Sequence, residues 1–377
     1  MTRKEFLGSV AGATTYAAMS SATGAASAAE APKKAKFKRG VSLFSYNGDH
    51  HSSMTLEDCF MEMDDMGARS LEILSEQHIP GYPNPSNAWV DHWFKMLDKY
   101  RITPAFYSGW TIDIGTPQDC LDWFVRDLRL ANRLGFKRAR LKGTGGRARS
   151  APGDRVGPGF NPIVDPKWEE FVLKALPFAE KLDVAFSAGE TSGTLKSPVN
   201  EAVIAFLQKY PTPYFGFQID TSALATRPGR VRDNDFESDP AERAAGGRGG
   251  AGAPGGAGGR GGAGAPGGAG APGGAGGRGG AGAPGATAAP RQASQPRDLL
   301  PLLPYTIHFH FKYWEMLDDF TEYSIPFDQI VAVLIEGGYD KHTCSEYEGP
   351  RTQGLASIQL RRHQVMLKRL MGEYESA

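Results

Sequence analysis

The chain has 377 residues, with 42 Lys plus Arg against 42 Asp plus Glu, so its formal net charge is zero. That balance offers no electrostatic footprint for nucleic acid or for an anionic membrane surface, and no run of 18 apolar residues reads as a spanning helix. Three cysteines, Cys59, Cys120 and Cys344, are odd in number and too far apart for a disulfide framework or a zinc spacing.

Residues 1–28 read as an export signal. Thr2-Arg3-Lys4-Glu5-Phe6-Leu7 resembles a twin-arginine motif with Lys in place of the second Arg. A weakly apolar stretch of small residues follows, and Ala26-Ser27-Ala28 offers an A-x-A cleavage site. The expected location is the bacterial periplasm or beyond. An Ala-rich N-terminus without a targeting role is the alternative.

From residue 38 onward, short β-rich runs alternate with helical periods. The runs are 40–44, 70–74, 103–107, 137–141, 183–187, 215–219, 305–309 and 342–345. Between them, apolar residues at i, i+3 and i+4 predict helices over 56–66, 88–100, 117–134, 167–181, 198–209, 326–337 and 354–372. Several begin after Ser, Thr, Asp or Pro, as helix entry requires.

A low-complexity Gly/Ala/Pro/Arg insertion at 240–297 separates strands six and seven and reduces the sixth helix to Asp298-Leu299-Leu300. It holds glycine at every third position from Gly246 to Gly285, the period of collagen. Glycine often fills the second position too, which leaves the backbone entropically loose, and the segment must return its ends to neighbouring strands. A disordered loop is the expectation, and a triple helix the alternative.

Eight strand-helix alternations in roughly 290 residues predict an α/β fold, a closed parallel (β/α)8 or TIM barrel spanning 38–374. An open doubly wound sheet is the runner-up, but no G-x-G-x-x-G follows the first strand.

Function in such a barrel gathers at the C-terminal ends of the strands. Those ends carry Glu190 (strand five), Asp220 (strand six), His308 to Lys312 (strand seven) and Glu346 (strand eight). Three carboxylates in one cleft repel unless a cation offsets them. Mixed carboxylate and imidazole donors favour Mn²⁺, Co²⁺, Mg²⁺ or Zn²⁺, with manganese the first expectation. His308 and His310 point the same way, because side chains on a strand repeat every two residues. One can face the metal while the other sits deeper or orients a ligand. A lone carboxylate at a strand end also serves as a helix cap, and a lone barrel histidine as a packing residue.

The series Glu190, Asp220, His310, Glu346 resembles the xylose isomerase-like superfamily of sugar isomerases and epimerases. Further motifs resemble its sugar phosphate isomerase/epimerase branch, which includes the catalytic subunits of C-glycoside deglycosidases. They are Leu71-Glu72-Ile73-Leu74 leading to His78-Ile79-Pro80-Gly81-Tyr82-Pro83-Asn84-Pro85, Phe217-Gln218-Ile219-Asp220-Thr221-Ser222, and His308-Phe309-His310-Phe311-Lys312-Tyr313-Trp314-Glu315-Met316. Ile325-Pro326-Phe327, Gly337-Gly338-Tyr339 and Ser345-Glu346-Tyr347-Glu348-Gly349 complete the set. The resemblance implies metal ligation by Glu190, Asp220, His310 and Glu346, with Lys312 facing the same mouth. It also implies a sugar or keto-glycoside substrate. Two departures stand out. Ser192 and Ala223 occupy positions where deglycosidase-like members and ketose epimerases, respectively, carry a histidine.

The expected chemistry is proton abstraction next to a sugar carbonyl, through an enediolate, with Glu190 or Glu346 as base and Lys312 at a substrate oxygen. Return of the proton gives an isomerase or epimerase. Loss of a β-placed glycosidic oxygen gives a lyase. His78, Lys142 and His308 are candidate substrate contacts, although His78 could equally pack against Tyr82. A homo-oligomer or an accessory subunit is compatible with the sequence. A non-catalytic carbohydrate-binding barrel and a metal-dependent phosphodiester hydrolase are the rival readings.

Overall fold

The computed structural model describes residues 34–50, 52–109, 117–141, 168–187, 190–191, 194–226, 294–350 and 354–373. The leader at 1–28 lies outside them, as does the insertion at 240–297 except for its last four residues. Nine strands form one parallel sheet: β1 (Lys38–Ser42), β2 (Ser70–Leu74), β3 (Thr103–Gly109), β4 (Arg138–Leu141), β5 (Ala185–Ser187), β6 (Glu190–Thr191), β7 (Phe217–Asp220), β8 (Thr306–Tyr313) and β9 (His342–Tyr347). Their order is β5-β4-β3-β2-β1-β9-β8-β7-β6. The two ends of that series, β5 and β6, are successive pieces of one interrupted strand. Phe186 forms a parallel bridge to Phe215, with its N–H donating to Tyr214 O at 2.8 Å and its carbonyl accepting from Gly216 N at 3.1 Å. The sheet therefore closes on itself as an eight-stranded barrel, and the predicted (β/α)8 architecture holds.

The helices are α1 (Leu56–Met66), α2 (Ser75–His78), α3 (Asn87–Lys99), α4 (Pro117–Arg133), α5 (Trp168–Leu182), α6 (Pro198–Lys209), α7 (Phe327–Glu336) and α8 (Leu355–Leu370). Local chemistry sets their starts. The Thr55 side chain accepts from Asp58 N while the Asp58 carboxylate accepts from Thr55 N, a reciprocal capping box that opens α1. Gly67, at φ 63°, closes it in the left-handed region that glycine adopts without strain. Ser197 caps α6, where Pro198 takes the first turn. Among the described residues of the sixth crossover, a 3-10 turn, Pro296–Leu299, lies close to the predicted remnant.

Each strand turns one set of alternate side chains to the helices and the other into the barrel. The outward set, including Val41, Leu71, Ile73, Phe186, Ile219, Phe309 and Phe311, packs with Phe60, Trp93, Leu128 and Leu360 from the helices in one continuous core. Burial of each such side chain contributes roughly 1.5–3 kcal/mol. The inward set is different in kind. Branched apolar residues normally fill a barrel of this size, yet among the described residues only Phe106, Ala185 and Ile307 form an apolar layer inside, with Ile307 out of the alternation where β8 shifts register against β7. Above it the interior is polar and buried.

Two boundaries differ from the sequence reading in a way that bears on the site. The seventh strand, β8, runs eight residues to Tyr313, so His308, His310 and Lys312 climb one continuous inward face. Leu43 and Phe44, expected to extend the first strand, instead begin a 3-10 turn, Leu43–Tyr46. After β8, the Glu322 carboxylate accepts from the backbone N–H groups of Trp314 at 3.3 Å and Ser324 at 2.5 Å, and from that of Ile325, pinning the following loop.

Candidate metal centre

Strand register brings the predicted residues together. Asp220 is the Cα partner of His310, and Lys312 that of Glu346. Asp220 ends β7 and uses Oδ1 to accept from Ser222 N at 2.7 Å, which fixes the carboxylate. Its Oδ2 stands 2.6 Å from the Lys312 ammonium, which also reaches Glu348 at 3.2 Å. The His310 ring lies between two carboxylates, with Nδ1 2.8 Å from Glu346 Oε2 and Nε2 2.5 Å from Glu72 Oε2. The Gln218 amide nitrogen meets the same ring at 2.9 Å from Nε2 and 3.1 Å from Nδ1.

Asp220 and His310 are wholly buried and Glu346 is 4% exposed. Ligand atoms from Asp220, His310 and Glu346 lie within 4.8 Å of one another, and so do those from Glu72, His308 and His310. Three buried carboxylates thus face one ammonium and two imidazoles. Such a donor set is all oxygen and nitrogen, and Glu346 Oε2 forms no hydrogen bond of good geometry. It fits a divalent cation, which would offset the excess of buried negative charge.

Below this cluster His308 is fully buried, its ring flat on Phe106 at 3.9 Å between centroids and 8° between planes. Burial lowers its pKa to about 4 against the opposing pull of Glu72, so it is neutral. Burial pushes the Glu72 carboxyl up, but the neighbouring His310 and His308 outweigh that and hold it well below the usual range.

Of the other expected contacts, His78 is buried at the end of α2 rather than in a loop. Its Nδ1 is 3.2 Å from Leu74 O, and its ring is 4.5 Å from that of His50. Glu190 lies on β6 with Gln218 as its Cα partner, but its side chain falls outside the described residues, as does the whole of Lys142. The sequence reading did not single out Glu72, Gln218 or Arg140 as site residues. Arg140 is buried on β4 and donates from Nε to Ser108 Oγ at 2.9 Å. The available signal for Glu72 was a charged residue in the middle of the otherwise apolar run Leu71-Glu72-Ile73-Leu74.

No family profile matches the chain. It is 23% identical over 324 residues to the C-glycoside deglycosidase alpha subunit of Arthrobacter globiformis, covering 82% of this chain and 84% of that one. It is 24% identical over 359 residues to the 3′-dehydrocarminate deglycosidase alpha subunit of a Microbacterium species, covering 89% and 96%. Among solved structures, D-psicose 3-epimerase from Clostridium cellulolyticum superposes with a TM-score of 0.54 at 10% identity, covering 90% of this chain and 100% of that one. A sugar phosphate isomerase/epimerase from Parabacteroides distasonis gives 0.51 at 14% identity, covering 92% and 98%. The chain shares its barrel fold with these isomerase and epimerase structures, and its sequence resembles the two deglycosidase alpha subunits.

Proposed function

We propose that the chain is a divalent-metal-dependent enzyme that removes a proton next to a sugar carbonyl, and that its substrate is a keto-glycoside. The observation that carries this reading is the convergence of Asp220, His310 and Glu346 within 4.8 Å, on the adjacent strands β7, β8 and β9, with Lys312 of β8 beside them. The deglycosidase names of both relatives favour the lyase over the isomerase. One relative is named for a 3′-dehydro glycoside. With a keto group at C3 of the sugar, the C2 hydrogen is acidic and the aglycone at C1 lies β to the developing carbanion.

In this reading Glu346, or Glu190 from the fifth strand, takes the C2 proton. The C2–H electron pair forms a C1=C2 bond as the bond to the aglycone breaks, and the aglycone gains a proton. A bound divalent ion, manganese first among manganese, cobalt, magnesium and zinc, supplies Lewis-acid stabilisation of the charge on the sugar oxygens. Lys312 presents an ammonium to the same oxygens, and the surrounding buried side chains exclude water from the carbanion. Return of the proton to the other face would make the enzyme an epimerase. Export by residues 1–28 accords with a glycoside found outside the cytoplasm. The alpha-subunit names support a requirement for a second chain.

The test is elemental analysis of the purified chain without residues 1–28, followed by assay on 3-keto-glycosides and free ketoses. About one equivalent of metal with aglycone release supports the lyase. Interconversion of free ketoses without aglycone release replaces it with an epimerase. A chain that takes up no metal on reconstitution sinks the reading.

A further inference from the structure

We propose that Glu72 is a positioning residue that acts through His310, presenting the Nδ1 edge of that imidazole to the metal centre. The inference rests on the proposed metal centre and assigns a role to a carboxylate one layer beneath it.

Glu72 is fully buried in the middle of β2, on a strand that does not adjoin β8 in the sheet. Burying a carboxylate costs several kcal/mol unless neighbouring groups compensate it. Two imidazoles do so here. Glu72 Oε2 is 2.5 Å from His310 Nε2 and 3.9 Å from His308 Nε2. Neither Glu72 oxygen has any other hydrogen-bond partner among the described residues. The carboxylate therefore has one close contact, and that contact is the far nitrogen of the histidine whose near nitrogen meets Glu346.

The chemistry of imidazole gives that contact its consequence. A ligating nitrogen must offer a lone pair, so the proton of a neutral ring must sit on the other nitrogen. A carboxylate oxygen 2.5 Å from Nε2 accepts its N–H, holds the proton there, fixes the ring against rotation, and raises the basicity of Nδ1. His308, stacked on Phe106, supports Glu72 from below. A column from Phe106 through His308 and Glu72 to His310 thus links the apolar floor of the barrel to its mouth.

The experiment measures Mn²⁺ affinity by calorimetric titration for the wild-type chain and for Glu72→Gln. Long-range ¹⁵N spectra of histidine-labelled, metal-free protein are recorded alongside, with His310 assigned by loss of its signal in His310→Asn. Glu72→Gln is expected to weaken Mn²⁺ binding by about 10- to 100-fold, and wild-type His310 to show a protonated Nε2 whatever the state of Nδ1. Affinity in Glu72→Gln within about twofold of wild type overturns the proposal, as does a bare Nε2 in the wild-type spectrum. The spectrum needs no substitution at Glu72, so it decides the matter even if that variant does not fold. A wild-type chain that binds no metal sinks the proposed function separately, and the Nε2 result then stands or falls alone.

Discussion

The Lys312 ammonium sits 2.6 Å from Oδ2 of Asp220 on the adjacent strand and 3.8 Å from Oε2 of Glu346. A cation held against these carboxylates offsets part of their mutual repulsion. It also places a donor where negative charge would develop on a bound sugar.

Lys312→Met should therefore keep bound metal and lose activity. Removing a donor to developing oxyanion charge typically costs about 10²-fold in kcat. Elemental analysis beside steady-state kinetics checks this, and loss of metal in parallel with activity would assign Lys312 to the structure of the site instead.

Asp220→Ala and Glu346→Ala should each deplete the bound metal, because each removes one oxygen donor from a three-residue cluster. Saturating Mn²⁺ at about 100 times its Kd should stabilise the wild-type fold by about 2.7 kcal/mol, and a chelator should reverse the gain. Thermal unfolding with and without metal reads this directly. Equal metal content in wild type and both variants would falsify the assigned ligand set.

His363 on α8 supplies a pH dependence away from the site. Its ring is fully buried, stacked on Tyr313 at 4.1 Å, with Nδ1 2.8 Å from Ser345 Oγ. Burial depresses its pKa from 6.5 to about 3. Between those values the unfolded chain binds a proton that the folded chain refuses, so its contribution to stability is complete above about 6.5 and is lost as pH falls towards 3. Each unit of depression corresponds to about 1.4 kcal/mol. Denaturant midpoints measured across this range should fall with acidification, less steeply for His363→Leu than for wild type.

Gly40 tests the closure of the barrel. A Cβ built there would lie 1.8 Å from the carbonyl oxygen of Ser70 on the neighbouring strand. Gly40→Ala must push β1 and β2 apart, and a cost of about 1–3 kcal/mol is expected from overpacking. A melting temperature equal to wild type would show that the two strands separate freely.

Much of the fold is legible in the chain because its signals are local. The run at 70–74 and the helices at 56–66 and 198–209 have the same bounds in sequence and structure, since caps and apolar period lie within a few residues of each other. The grouping of His308, His310 and Lys312 is also local, for a strand repeats its side-chain direction every second residue. Boundaries such as the longer β8 are less legible, because pairing with β7 and β9 carries the strand beyond its apolar run.

The charge inside the barrel belongs to another level. Glu72 precedes His310 by more than two hundred residues, and within its own strand it is only an acid among aliphatic neighbours. The sequence by itself determined the strand-helix alternation and the residues at the strand ends, because those depend on spacing along the chain. Tertiary structure alone decided that Glu72 meets Nε2 of His310 while Glu346 meets Nδ1. Which side chains share a buried interior follows from closure of the sheet, and closure joins strands that no local period relates.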